Sequence, residues 1–325
     1  MYPFPYVGRN VELCYGSMRS NLVSNCLVLP SLIRKCNIDL FVSQNFSVPL
    51  RGTRQICVIF DIIFDTNPEF FTARERAYFS FIKPLLSFAD SIITISDQSR
   101  RDLERYGYAN ARREAKVVYL GVDDRFFGKH QTSAEGLREF GTRLGLPRDF
   151  VLYVGRFNTR KNIEGLIRAY SRLDRSRWDL VLCGRADGRG TEFRDLIAEL
   201  GLGHHVHILD HIGDDDLPLL YRSAAAFAYF SFREGFGLPP LEAMASGTPV
   251  VVSNSPSLRE VCGPAVEYVD PSSIDDMYRG LETVLSSESR REQMSRQGLT
   301  QAAKLTWTNS TEQFMRIVET MGGIP

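Results

Sequence analysis

Neither sign of charge is in surplus along the 325 residues: 39 Lys and Arg side chains balance 39 Asp and Glu. A dedicated nucleic-acid binder normally carries a basic excess, so no nucleic-acid partner is expected. Cysteine is sparse. The six residues at positions 14, 26, 36, 57, 183 and 262 form no Cys-x-x-Cys pair and have no histidine at metal-ligand spacing. They read as small buried hydrophobes in a reducing cytosol. No apolar run approaches the ~20 residues a bilayer span needs. The opening Met-Tyr-Pro-Phe-Pro-Tyr has neither the basic start nor the apolar core of a signal peptide. Repeats and low-complexity tracts are missing too. The chain reads as a cytoplasmic globular protein, with 43% hydrophobic and 24% charged residues, and its length predicts about two domains.

Short β-rich runs alternate with longer helical patterns. Strands are expected at 38–43, 56–60, 91–96, 116–119, 151–154, 180–183, 206–209, 226–230 and 249–252. Most of these runs are apolar throughout, as in strands covered on both faces of a parallel sheet. Amphipathic segments such as 162–173 and 191–200 lie between them, so the fold class is α/β, built of right-handed βαβ units. The alternation breaks once, between about 123 and 148, where one helix is expected at 134–144. That break divides the chain into two Rossmann-like domains, 1–130 and 131–325, facing across a cleft at the carboxyl ends of their strands. The first domain reads as short. Its opening 37 residues show no strand followed by a Gly-rich turn, so either that domain is reduced or an opening segment is absent. Residues 1–146 hold 19 basic and 15 acidic side chains and the remainder 20 and 24, a weak bias of the front half toward anionic partners.

The richest stretch is Phe232-Arg-Glu-Gly-Phe-Gly-Leu-Pro-Pro-Leu-Glu242, directly after a buried strand. Pro239 and Pro240 suit the first turn of a helix, where a missing N–H is harmless, so a helix starts near Leu238. The free amides of Gly235, Phe236, Gly237 and Leu238 then form an anion site. Two carboxylates, Glu234 and Glu242, flank it. They would repel a bare phosphate but accept hydrogen bonds from hydroxyls, so the matching ligand joins phosphate to hydroxyl-rich rings, as a nucleotide sugar does. The second stretch, Val151-Leu-Tyr-Val-Gly-Arg-Phe-Asn-Thr-Arg-Lys-Asn, ends a strand in Gly155 and follows it with Arg156, Arg160 and Lys161. Arg offers paired donors to phosphate and Lys a point charge.

Together, Gly155-Arg-Phe-Asn-Thr-Arg-Lys-Asn and Glu234-Gly-Phe-Gly-Leu-Pro-Pro-Leu-Glu-Ala-Met-Ala-Ser-Gly-Thr-Pro-Val-Val resemble glycosyltransferase family 4, the group 1 enzymes. The likeness is strong from 149 to about 321 and looser from about 25 to 125. It implies the two-domain GT-B architecture with a reduced N-terminal domain, and a retaining, metal-independent glycosyltransferase in polysaccharide or lipopolysaccharide assembly. The implied partners are a nucleotide-sugar donor, GDP-mannose or a UDP-sugar, and a glycan or lipid-linked acceptor. No cofactor is implied. By the resemblance Arg156 and Lys161 bind the diphosphate and support the leaving group, Glu234 faces the sugar, residues 235–238 hold phosphate and sugar, and Glu242 holds the ribose. Ser96 borders the donor site and also suits a helix N-cap. The stretch from Thr306 resembles the family's last helix, which crosses back onto the front domain.

Two departures fall on the acceptor side. Where the family commonly has His-Asp, this chain has Phe60-Asp61, so Asp61 positions the acceptor alone or with Asp65. The opening strand and Gly-rich loop are the other departure. A rival reading follows, of a non-catalytic or partner-dependent nucleotide-sugar-binding protein with an incomplete N-terminal domain. His204, His205, His207 and His211 cluster along one strand but read as surface and strand-end residues, with no metal site. Arg100, Arg101, Arg105, Arg112, Arg113 and Lys116 form a candidate basic face for peripheral contact with the inner face of a membrane. Asp102, Glu104 and Glu114 interrupt it, as on a solvated face.

Overall fold

A computed structural model describes residues 20–109, 114–128, 133–147, 149–185, 192–210 and 212–321. Cys14, Arg112, Arg113 and His211, all named above, lie outside the described residues. Among the described residues ten strands form two parallel sheets. The front sheet holds β1 (Leu40–Gln44), β2 (Arg54–Ile59), β3 (Ser91–Thr94) and β4 (Ala115–Val117), side by side in chain order. The back sheet holds β5 (Phe150–Val154), β6 (Asp179–Cys183), β7 (Val206–Leu209), β8 (Ala226–Tyr229), β9 (Val250–Ser253) and β10 (Glu267–Val269) in the order β10-β9-β8-β5-β6-β7.

All nine expected strands are present, with ends shifted by one or two residues. β8 and β9 are buried at every position, which is why their sequences are apolar without alternation. The strand that sequence patterning missed is β10. It has three residues and sits at the sheet edge against β9 alone, too short for a periodic signal. The expected helices occur as Ala134–Arg143, Ile163–Tyr170 and Glu192–Glu199.

The largest core surrounds the back sheet, and Val122, Phe126 and Phe140 from the connecting stretch pack into it. The front sheet is buried on both faces by different means. Cys57, Ile59 and Ile92 point into a local cluster with Phe46 and Leu103. Their chain neighbours Ile56 and Ile93 point the other way and join Val118, Ile317 and Val318. Successive strand residues face opposite sides, so this second face would stay wet without the final helix, Trp307–Thr320. That helix does return onto the front sheet, as the resemblance implies. No described helix is long and apolar enough to cross a membrane.

Candidate active site

β5 lies between β6, which follows it in the chain, and β8, which arrives later from the other side. The connections therefore diverge between β5 and β8 and leave a crevice beyond their carboxyl ends, where open α/β sheets bind ligands. The loops after β5 and β8 are the two stretches singled out above, and a cavity of about 580 Å³ opens between them. Asp61, Gly155, Arg156, Lys161, Glu234, Gly235, Phe236, Gly237 and Leu238 all line it. Ser96 and Glu242 do not. A larger cavity of about 770 Å³ lies by the helix Ala134–Arg143, at the amino end of β5, away from these residues.

Glu234 is the electrostatic centre. It is only 8% exposed. Lys161 Nζ donates to its Oε1 at 2.6 Å and Arg160 Nη1 reaches its Oε2 at 3.1 Å. Lys161 also donates to the Tyr229 hydroxyl, and Arg160 to the Arg233 carbonyl at 2.5 Å. Burial by itself would push the Glu234 carboxyl up, but Lys161 and Arg160 outweigh it and hold it down at about 2. Burial pushes the Lys161 ammonium below the usual lysine range, with Glu234 opposing. Lys161 owes its place to a tight turn, Thr159–Lys161, capped by Asn158 Oδ1, which accepts from the Lys161 amide at 3.2 Å.

Sequence reasoning paired Arg156 with Lys161. In the fold Arg156 lies exposed at the cavity, with its carbonyl held by the Tyr153 hydroxyl at 2.9 Å. Arg160 is the arginine that joins the ion cluster. It was visible as the middle cation of the loop, but spacing alone does not say which of two arginines turns inward.

The helix Leu238–Ala245 starts where the prolines predicted, and no side chain caps it at Gly237. Pro239 and Pro240 have no N–H and the Leu241 amide donates to the Gly237 carbonyl at 3.3 Å, so within the first turn the Leu238 amide is the one left to the cavity wall. Gly237 has φ +117°, and a Cβ there would lie 2.4 Å from Leu258 Cδ2; only glycine suits this corner. Gly235 is constrained from the other side of the cleft, since a Cβ would lie 2.8 Å from Asp61 Oδ2. Asp61 Oδ1 accepts the Ile63 amide at 3.1 Å, and burial raises its carboxyl above the usual range. Asp65, the alternative partner, instead takes the Tyr108 hydroxyl and does not line the cavity.

Ser96 is the helix cap expected of it, and it also reaches the back loop. Its Oγ accepts the Ser99 amide at 3.0 Å, capping the helix Asp97–Arg105, and donates to the Gly235 carbonyl at 2.7 Å. Glu242 accepts the Tyr221 hydroxyl at 2.9 Å, and burial raises its carboxyl. Other contacts join front and back around the cavity. Glu260 accepts the amides of Asp97 and Gln98 at 2.5 and 3.0 Å, Arg233 pairs with Asp102 at 2.6 Å, and Phe70 stacks on Phe232 with ring centres 6.0 Å apart. None of these was predicted from sequence, because each joins residues more than 130 positions apart. His205 and His207 both turn to Asp179, at 2.9 and 3.1 Å.

The family described as Glycosyl transferases group 1 matches residues 140–301. O-antigen chain mannosyltransferase B of Escherichia coli is 34% identical over 278 residues, 84% of this chain and 72% of that protein. O-antigen chain mannosyltransferase RfbU of Salmonella typhimurium is 28% identical over 75% of this chain and 64% of its own length. The chain spans about a third of the serotype-specific mannosyltransferases WbdA of Escherichia coli, for example 34% of one that is 31% identical. Among solved structures, sucrose-phosphate synthase from Thermosynechococcus elongatus superposes with TM-score 0.76 at 21% identity, over 90% of this chain and 76% of that one. Anabaena HepE in complex with UDP and glucose gives TM-score 0.76 at 18% identity, over 95% and 84%. Identity of the level seen with the Escherichia coli protein across most of both chains, on the same two-sheet frame, makes this chain a member of the group 1 glycosyltransferases, family 4, with the GT-B architecture.

Proposed function

We propose that the chain is a retaining hexosyltransferase that works without a metal ion. It moves a sugar from a nucleotide-sugar donor, GDP-mannose ahead of a UDP-sugar, to a glycan or lipid-linked acceptor in polysaccharide or lipopolysaccharide assembly. The observation that carries this reading is the cluster of Lys161, Arg160 and Glu234 beside an uncapped helix start at the switch point of the back sheet. Relatives named for mannose transfer to O-antigen chains support the choice of sugar and acceptor. The solved neighbour holding UDP-glucose supports the donor class.

In this reading the diphosphate lies between Lys161 and the amides of Gly235 to Leu238, with Arg156 at the rim. These cations and fixed dipoles meet the charge that develops on the departing diphosphate, the task a metal would otherwise perform. Glu234 is kept ionised by its neighbours, so it accepts hydrogen bonds from the donor sugar's hydroxyls. An acceptor hydroxyl then attacks the anomeric carbon from the leaving-group face. The C–O bond to the diphosphate breaks, and the hydroxyl proton passes to the departing phosphate oxygen. Attack on that face retains configuration. Asp61, beside Gly235, positions the acceptor hydroxyl. The enzyme acts in the cytoplasm, and peripherally at the inner membrane face where the acceptor is lipid-linked.

Calorimetric titration with GDP, UDP and ADP, with and without a divalent metal, tests the reading. One base is expected to bind equally well without metal, and Lys161→Ala is expected to abolish that binding. Binding of none of the three would overturn it. The rival, a nucleotide-sugar-binding protein that needs a partner or does no chemistry, draws on Phe60, which donates no hydrogen bond where the family has histidine. GDP-mannose that binds but releases no GDP, with or without acceptor glycans, would favour that rival.

A further inference from the structure

The two walls of the cavity differ in chemistry. The back wall carries cations and backbone amides. The front wall presents Phe60, Phe70, Phe71 and Phe79 with the carboxylates of Asp61 and Glu75. Phe60 is 38% exposed although it is a large apolar ring next to a candidate reacting centre. We propose that Phe60, on the wall it shares with Phe70 and Phe71, is a stacking platform for the terminal sugar ring of the acceptor. The inference rests on the glycosyltransferase reading above and assigns its acceptor subsite.

Polarity selects the occupant. A pyranose offers an apolar C–H face and a rim of hydroxyl donors. Phe60 supplies a flat apolar surface, and the neighbouring Asp61 carboxylate accepts hydrogen bonds only. A ring laid on Phe60 satisfies both groups. An acceptor ending in phosphate or carboxylate would meet like charge on this wall. An alkyl chain would cover Asp61 without a hydrogen-bond donor, which is costly for a carboxylate. Glu75 is already held by the Thr72 amide and hydroxyl, each at 2.7 Å, so it frames the wall as part of a helix cap.

The wall is also pre-organised. Phe71 meets Phe79 edge-on at 6.4 Å, Phe79 stacks on Phe64 at 5.0 Å, and Phe70 stacks on Phe232 across the cleft. Rings fixed in this way lose little freedom when a ligand lands on them. The Phe60 carbonyl accepts the Thr94 hydroxyl at 3.5 Å, which ties the backbone of the platform to β3.

The test uses the full chain, first saturated with the nucleotide that binds and then without nucleotide. α-Mannotriose, maltotriose, methyl α-mannoside and octyl α-mannoside are titrated calorimetrically into wild type, Phe60→Ala, Phe60→Leu and Phe60→Tyr. Phe60→Ala is expected to weaken the preferred oligosaccharide roughly three- to tenfold, the range of one aromatic contact. Phe60→Tyr should restore it and Phe60→Leu should not. The nucleotide Kd should be the same in all four proteins. The subsite is overturned if no oligosaccharide binds wild type, if Phe60→Ala changes nothing, or if Phe60→Leu binds like wild type. Affinity that follows the octyl chain and is lost with Phe60 would make it a lipid site and overturn it equally. Failure of nucleotide binding would count against the glycosyltransferase reading alone, since the nucleotide-free titrations still decide the platform.

Discussion

The two walls of the cavity hold their residues by different physical means. On the back wall the loops after β5 and β8 converge at a switch point, and the buried Glu234 is paired with the partly buried Lys161 and Arg160. Buried charges tolerate no missing partner. On the front wall the sheet runs in simple chain order, and rings packed edge and face do the holding. Aromatic packing is shape-dependent and grades smoothly with substitution. A charged pole is therefore rigid in chemistry, whereas an apolar pole can change residue type at modest cost. That difference separates a back wall organised by an ion cluster from a front wall organised by rings.

The comparison breaks first at Glu234. Its replacement by Ala leaves the largely buried Lys161 and Arg160 without their main counter-charge, and the expected loss of stability is about 3–5 kcal/mol, measured as a shift in the urea midpoint. A loss no larger than that of a front-wall ring would mean the cluster is not the structural centre of the back wall. The same carboxyl sets an acid limit. Its folded value of about 2 lies below the ordinary carboxyl value of 4.5, so its contribution is fully present above about pH 4.5 and is lost as pH falls toward 2. Melting temperatures should fall over that window in wild type, and Glu234→Gln should remove this part of the slope.

Next in size is the contact proposed for the diphosphate. Lys161→Met should weaken nucleoside diphosphate binding by about 2–5 kcal/mol, the cost of truncating one member of a buried charge pair. Because burial lowers the Lys161 value, wild-type affinity should decline on the alkaline side before an ordinary lysine titrates, and Lys161→Arg should move that decline to higher pH. Calorimetry across the alkaline range reads both.

Gly237→Ala comes third. The positive φ and the contact with Leu258 together should cost about 1–3 kcal/mol, as a strained backbone site does, seen as a lower melting temperature with weaker nucleotide binding. The smallest effect belongs to the seam. Asp102→Asn removes one ion pair between front and back, and about 1 kcal/mol or less is expected. Its readout is an increase in the radius of gyration by small-angle scattering in the nucleotide-free protein. An unchanged radius would show that Ser96, Glu260 and the Phe70–Phe232 stack hold the seam without it.

Much of the frame was readable from local pattern. Apolar runs of four to six residues mark strands because parallel sheets bury both faces, and Pro239 with Pro240 marks a helix start because proline lacks an amide hydrogen. Nine strands and the helix start at Leu238 follow from such rules. The two cavity loops, one with Gly155 and Lys161 and the other with Glu234 and residues 235–238, were equally legible, since each is a continuous run of the chain. Long-range packing settled the rest. It put β5 beside β8, turned Arg160 inward while Arg156 stayed at the rim, and tied Glu242 to Tyr221. It also laid the last helix over Ile56 and Ile93. The physical reason is the same in each case. Periodicity records which face of an element is buried, but the partner that buries it comes from a distant segment. A turn's side chains take their direction from the charges that segment supplies.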